Sequence, residues 1–308
     1  MKALVLGGNG FIGSHVVDAL LKAGHKVRVF DRGAGLYRNT IPTVDYRIGS
    51  FSDVPALAEA LEGVDAVFHL ISTTVPSTSN LDPVGDVEGN LIGTVRLLQL
   101  MVQKGIRRIV YLSSGGTVYG VPEVLPIPES HSLRPICSYG VVKVAVENYL
   151  FMYQSLHGIQ PVVLRASNPY GERQTRAGVQ GVISTFMNKA LNNERIEIWG
   201  DGSVVRDFIY IGDLAQMCLK AFESEVCGIF NVGSGTGQSI NEVLGCVKAV
   251  AGREMVVNYK PSRGFDINRV VLDISKVALT FTWRPQVSIE DGVSATWKWL
   301  NENFGKTK

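Results

Sequence analysis

Tyr139 and Lys143, in the run Tyr139-Gly140-Val141-Val142-Lys143, put a phenol and an ammonium four residues apart. On a helix this spacing stacks the two side chains on one face, one turn apart. An isolated phenol titrates near ~10 and is a poor base at neutral pH. A neighbouring ammonium and a second positive charge close by both favour phenolate and bring the pKa toward the working range. Such a pair suits removal of a hydroxyl proton while the carbon bearing that hydroxyl is oxidised. A YxxxK spacing is common by chance, so its weight depends on what precedes it.

What precedes it is Gly7-Gly8-Asn9-Gly10-Phe11-Ile12-Gly13, after the apolar run Ala3–Leu6 and before the helical pattern Ile12–Ala23. Gly7 permits a tight turn, Gly10 lets backbone approach a pyrophosphate, and Gly13 lets helix and strand pack closely. Gly7, Asn9, Gly10, Phe11, Ile12 and Gly13 are therefore cofactor-binding candidates. A second apolar run, Val27–Phe30, ends at Asp31, 18 residues past Gly13, where a carboxylate would meet the ribose hydroxyls of a dinucleotide. An acid there repels a 2′-phosphate, so NAD is expected over NADP; Arg32, the next residue, is the one feature pointing the other way.

The glycine spacing is GxxGxxG, and with the motifs that follow it the sequence resembles the extended short-chain dehydrogenase/reductases. Within them it is most similar to the NAD-dependent sugar-nucleotide epimerases and dehydratases, the UDP-hexose 4-epimerases above all. Asp53-Val54 matches the pair that contacts adenine, and His69-Leu70-Ile71-Ser72 the strand end that lines the cofactor. His69 reads as a packed core histidine. Asn90 matches the asparagine that kinks and anchors the fourth helix. The strand end Ser113-Ser114-Gly115-Gly116-Thr117-Val118-Tyr119-Gly120 departs from the family. Gly115 stands where a catalytic Ser or Thr is usual, so the hydroxyl that holds the reacting sugar oxygen is expected from Thr117, with Ser114 as its rival. Ser113 reads either as a cofactor contact or as a strand cap. The family's dehydratases and decarboxylases carry an acid just before Val-Tyr-Gly; Gly116 and Thr117 occupy those positions here. That favours oxidation followed by reduction, with no loss of water.

The resemblance also implies a nucleotide-sugar site. Asn168, in Leu164–Gly171, matches an asparagine on the substrate diphosphate, and Gly181-Val182 a backbone stretch on the base. Trp199 and Arg206 fall where the family places a ring near the uracil and an arginine on the diphosphate. Arg263 and Asp266 match a further diphosphate cation and a ribose carboxylate. Two guanidinium forks on a diphosphate make chemical sense. Val270 lies at a position that gates the sugar: a bulky residue excludes an N-acetyl group and a small one admits it. The implied substrate is UDP-glucose or UDP-galactose, N-acetylated sugars being admissible.

These residues need a frame, and the periodicity supplies one. Short apolar runs (also 66–71, 108–113 and 161–165) alternate with helical patterns at 55–62, 90–104 and 139–157. Strict alternation predicts an α/β fold, a Rossmann-type doubly wound parallel sheet with a smaller C-terminal α/β substrate domain. The expected NAD domain is 1–167 with a returning part at roughly 204–250; the expected UDP-sugar domain is 168–203 with 251–308. The 308 residues, 45% hydrophobic and 19% charged with 33 glycines, suit a compact protein of that plan. A net charge of +2 gives no field to attract nucleic acid. Cys137, Cys218, Cys227 and Cys246 lie far apart without metal-ligand spacing, so neither a disulfide framework nor a metal site is expected. No run reaches the ~20 apolar residues of a membrane span. The four apolar residues before Gly7 are too few for a secretory signal, so the expected location is the cytoplasm. The resemblance implies a homodimer formed by the helices at 90–104 and 139–157. A dehydratase or reductase, or a non-catalytic nucleotide-binding protein on the same fold, are the alternative readings.

Overall fold

The computed structural model describes residues 1–35, 38–174, 181–262 and 267–305. The chain forms two compact units. The first comprises Met1–Gly120, Ser132–Ala166 and Ala215–Phe230; the second comprises Val121–His131, Ser167–Leu214 and Asn231–Lys308.

The first unit opens with β1 (Lys2–Leu6), α1 (Phe11–Lys22), β2 (Lys26–Asp31), β3 (Asp45–Ile48), α2 (Val54–Ala60) and β4 (Ala66–His69). A short α3 (Pro83–Asp86) runs through a π-helical turn, Val87–Ile92, into α4 (Gly93–Gln103). β5 (Arg108–Ser114), α5 (Ser138–His157) and β6 (Gln160–Ala166) follow. The strands stand in the order β3-β2-β1-β4-β5-β6, parallel throughout, the order of a Rossmann sheet. The predicted runs are all strands. β3 (DYRI) is the strand the apolar runs miss: it lies on the edge, half of it is exposed, and its sequence carries no apolar block. Leu4, Leu6, Val67, Ile109 and Val163 from the sheet pack with Leu97, Leu98 and Met101 of α4 and Val142, Val146 and Leu150 of α5. Burying a side chain of that size contributes roughly 1.5–3 kcal/mol, so α5 is pinned to the sheet along its length.

The second unit holds β7 (Asn168–Tyr170), α6 (Val182–Asn192), β8 (Ile196–Trp199) and β9 (Val205–Tyr210). α7 (Ile211–Glu223) and β10 (Gly228–Val232) carry the chain through its returning part, β10 adding a seventh strand beside β6. Then come β11 (Gly237–Ser239), α8 (Ile240–Ala251), β12 (Val257–Lys260), β13 (Arg269–Val270), α9 (Ser275–Phe281) and α10 (Ile289–Phe304). β9 is flanked by β11 and β13 and also pairs β7; β8 pairs β12. The returning part of the first unit is therefore 215–230, shorter than the expected 204–250. Residues 205–210 are taken by the sheet around β9, and Val243, Leu244 and Val247 of α8 enter the second unit's core. Residues 121–131 also join the second unit, where Ile127 bridges to Leu272.

Candidate functional site

The turn between β1 and α1 is built as its glycines require. A Cβ on Gly13 would run into the carbonyl oxygen of Gly7, so this helix lies as close to the turn as backbone allows. Gly10 is the N-cap of α1 and offers no side-chain cap, which leaves the first helical N–H groups for an anion. Asp31, at the end of β2, accepts the Asn9 N–H at 2.9 Å and the Arg32 N–H at 2.7 Å. Asn9 turns its amide to the Gly33 carbonyl (2.6 Å), so it closes the loop. Gly7, Gly10, Asp31, Arg32, Leu70, Ile71 and Ser72 line one cavity of about 280 Å³. A glycine cradle, free helix N–H groups and a carboxylate at the end of the second strand fit the pyrophosphate and ribose of a dinucleotide. Phe11 and Ile12 form the first turn of α1 behind it.

Other cofactor candidates also carry structural bonds. Asp53 caps α2, accepting the Ala56 N–H at 3.1 Å, and neither it nor Val54 lines the cavity. Ser113 donates to Glu147 at 2.5 Å inside the core, so its hydroxyl has a structural partner. Asn90 lies buried in the π-helical turn. Its side chain accepts the Thr73 N–H at 2.8 Å and donates to the Asp86 carboxylate at 2.8 Å.

Tyr139 and Lys143 stand on α5, Tyr139 half-buried and Lys143 buried. The Lys143 ammonium donates to the Leu112 carbonyl at 2.9 Å and lies over the Tyr111 and Tyr139 rings, 4.8 and 5.4 Å from their centroids. Burial pulls its pKa down to about 8, against the pull of the Glu147 and Asp86 carboxylates. The Tyr139 phenol is pushed up to about 12, first by burial, then by the Cys137 thiol; the Ser72 hydroxyl pulls it down and Asp86 pushes it up. The expected fall toward neutrality needs a second positive charge beside Lys143, that of a bound nicotinamide ring. The ammonium is spent on a carbonyl and two ring faces, and desolvation of the phenolate outweighs it.

The hydroxyl question at Gly115 also has a geometry. The Thr117 hydroxyl is buried and meets no hydrogen-bond partner, an orphan of the kind that folded proteins rarely keep without use. The Thr117 turn abuts the start of α5, where a Cβ on Gly140 would lie 2.8 Å from the Thr117 carbonyl. Ser114, by contrast, accepts the Val118 N–H on its carbonyl as part of the turn itself.

In the second unit, Asn168, Gly181, Val182, Trp199 and Arg206 line a single cavity of about 360 Å³. Gly181 is the N-cap of the eleven-residue α6 and leaves its N–H groups without a side-chain cap. Arg206 is anchored through the Val205 and Ile267 carbonyls at 2.9 and 2.7 Å. Trp199 is half exposed, with the Lys260 ammonium 5.2 Å from its ring centroid. Val270 is 4% exposed in β13, paired in register with Arg206, and does not line this cavity. Arg263 and Asp266 lie outside the described residues. Among the described residues no cluster of three metal-ligating side chains exists, and no helix is long and apolar enough to cross a membrane.

Sequence reasoning missed the groups that hold α5. Glu147 continues the 139, 143 spacing by one more turn, and Arg165 meets it with Nη2 to Oε2 at 2.6 Å while Nη1 reaches the Tyr119 hydroxyl at 3.0 Å. Asp86, four residues before Asn90, binds the Thr74 and Ser138 hydroxyls, each at 2.7 Å. The i, i+4 spacing of both acids was the available signal.

The family model described as the NAD dependent epimerase/dehydratase family matches residues 3–233. A UDP-glucose 4-epimerase of Mycolicibacterium smegmatis is 33% identical over 304 residues, 96% of this chain and 97% of that one. The crystal structure of the UDP-glucose 4-epimerase of Thermotoga maritima with UDP-glucose superposes with a TM-score of 0.92 at 34% identity, covering 98% and 99% of the two chains. That of Thermus thermophilus with NAD gives 0.91 at 35% identity, with the same coverage.

Proposed function

Since the chain belongs to the NAD-dependent epimerase/dehydratase family, we propose that it inverts C4 of a UDP-hexose, UDP-glucose and UDP-galactose being its pair. The observation that carries this is the Tyr139–Lys143 pair beside a cofactor cradle, in a site where Gly116 and Thr117 replace the acid that water elimination needs. Gly7, Gly10, the first turn of α1 and Asp31 would hold NAD. Bound NAD supplies two-electron oxidation and reduction at C4 and places a positive ring charge in the site.

Tyr139 removes the O4 proton and returns it after the 4-keto sugar has turned about its diphosphate linkage. The Lys143 ammonium supports the phenolate. The orphan hydroxyl of Thr117 is suited to hold O4. Arg206 and Asn168 hold the diphosphate, and the Gly181-Val182 backbone and the Trp199 ring the base. Fixing the nucleotide while leaving the sugar free concentrates binding energy away from the reacting ring.

Purified protein given UDP-galactose is expected to form UDP-glucose. Failure to isomerise any UDP-hexose, N-acetylated ones included, with NAD bound overturns the reading; a product lighter by one water makes it a dehydratase. Tyr139→Phe is expected to lower kcat by about 10³-fold or more with NAD retained.

We also infer that two copies pair through α5. Val141, Tyr149, Met152 and Leu156 are exposed on one face of α5, and Val87 and Ile92 are exposed on the neighbouring π-helical turn. An apolar stripe of this kind supports an isologous contact. Light scattering that finds only monomer at micromolar concentration removes it.

A further inference from the structure

In the reading above Thr117 answers for the sugar oxygen O4; at the phenol itself the neighbouring hydroxyl comes from the exit of β4. We propose that Ser72 is the hydroxyl partner of the Tyr139 phenol and that Asp86 is the positioning residue that holds the two together. This rests on the reading of Tyr139 as the base.

Two cavities of the first unit meet at residues 71 and 72. Ile71 and Ser72 line the cofactor cavity and also a small pocket shared with Asp86, Asn90, Tyr139 and Lys143. Of these two residues only Ser72 has a hydroxyl, and neither Ser114 nor Thr117 lines the small pocket. The Ser72 hydroxyl donates to the Thr74 carbonyl at 3.0 Å, which leaves its oxygen lone pairs free to accept the phenol O–H. Once Tyr139 has lost its proton, rotation about the Ser72 Cβ–Oγ bond turns the same O–H onto the phenolate. A hydroxyl of this kind serves both protonation states of the base.

The two oxygens of one carboxylate fix the distance. Asp86, 0% exposed, accepts Thr74 Oγ1 on Oδ1 and Ser138 Oγ on Oδ2, both at 2.7 Å. Thr74 follows Ser72 by two residues and Ser138 immediately precedes Tyr139. Asn90 doubles the hold on the first side through the Thr73 N–H (2.8 Å) and the Thr73 hydroxyl (2.9 Å). The groups that face the phenol are therefore Lys143 one turn along α5, Cys137 just before α5, Asp86 from α3, Tyr111 from β5 and Ser72 from the β4 exit. Their signs differ: the Ser72 hydroxyl favours phenolate, and the Asp86 charge opposes it.

The test uses the NAD-bound chain with tyrosine labelled at 13Cζ, and reads the Tyr139 titration by NMR beside the pH profile of kcat. Ser72→Ala is expected to move the titration up by about one pH unit. It should also lower kcat near neutrality by about tenfold or more, as loss of a hydrogen bond to a charged group does, with KM nearly unchanged. Ser72→Thr is expected to restore both. Asp86→Asn is expected to move the titration down, the opposite direction, which general loosening of the site does not do. An unmoved titration and unchanged kcat in Ser72→Ala overturn the proposal, as does an upward shift in Asp86→Asn. If the unaltered chain isomerises no UDP-hexose, the epimerase reading falls alone, because the labelled titration still decides for or against Ser72.

Discussion

Two buried carboxylates stand on either side of Lys143, and the fold holds them in contrasting ways. Glu147, 2% exposed, is matched by a guanidinium: Arg165 spans both its oxygens, Ser113 donates a further bond, and Tyr119 fills a remaining guanidinium N–H. Asp86 is buried as deeply, and its partners are two hydroxyls and an amide. Glu147, tied by its guanidinium as a strut into β5, α5 and β6, holds the Lys143 pKa up more than Asp86 does. Asp86, held by neutral donors, acts on Tyr139 as well as on Lys143. Burial alone does not say what a charge is for; its partners do.

The contrast can be broken by experiment. Arg165→Met leaves Glu147 buried without its cation and is expected to cost about 3–5 kcal/mol, measured by urea unfolding. Adding Glu147→Leu should recover most of that loss. A single variant as stable as the double one would deny the strut. Asp86→Asn removes a charge but keeps the shape, so its cost is expected near ~1–3 kcal/mol, the range for a disturbed buried hydrogen-bond set. The same variant should lower the Lys143 titration below its present value of about 8, read by NMR of the labelled ammonium; no movement would make Asp86 a strut alone.

The smallest effect concerns His69, on the Asp86 side. The Thr94 hydroxyl donates to the Asn90 carbonyl, so it accepts from His69 Nε2, and His69 Nδ1 is left buried without a partner. Burial, with the Lys143 charge, depresses its pKa from 6.5 to about 3. The unfolded chain therefore takes up this proton first as pH falls. The stability that neutral His69 represents is complete above pH 6.5 and is lost progressively from there toward pH 3, at no more than about 1.4 kcal/mol per pH unit. His69→Gln should flatten the acid limb of an unfolding profile in that window; an unchanged limb would refute it.

Most of the frame and the cofactor end were legible in the residues. Gly7, Gly10, Gly13 and Asp31 are local signals whose meaning is set by the strand before and the helix after, and the structure brings Gly7, Gly10 and Asp31 to one cavity. Asn168, Gly181, Val182, Trp199 and Arg206 were readable only through their order along the chain, yet they too share a cavity. What could not be read is what depends on contacts between distant segments. Ser113 and Ser114 are adjacent serines, and only the reach of Glu147 from α5 separates a core partner from a turn residue. The helix-capping role of Asp53 is likewise decided by local geometry three residues on. The burial around the Tyr139 phenol is not legible for a similar reason: spacing shows the ammonium, but desolvation is a property of everything packed around it.

The π-helical turn Val87–Ile92 has one more consequence. An α-helix advances about 100° per residue, and a π turn holds one residue more than an α turn. That additional residue turns Asp86 and Asn90 toward the pocket of Tyr139 while Leu97, Leu98 and Met101 stay on the sheet. Deleting one residue from 87–89 would let the backbone from Pro83 to Gln103 heal into an uninterrupted α-helix with the core contacts of α4 intact, and would swing Asp86 away by about 100°. Here information lies in length as well as in residue type. A lost codon that a surface loop would absorb would act in this segment as a lesion of the active centre, in a helix more regular than the one it replaced.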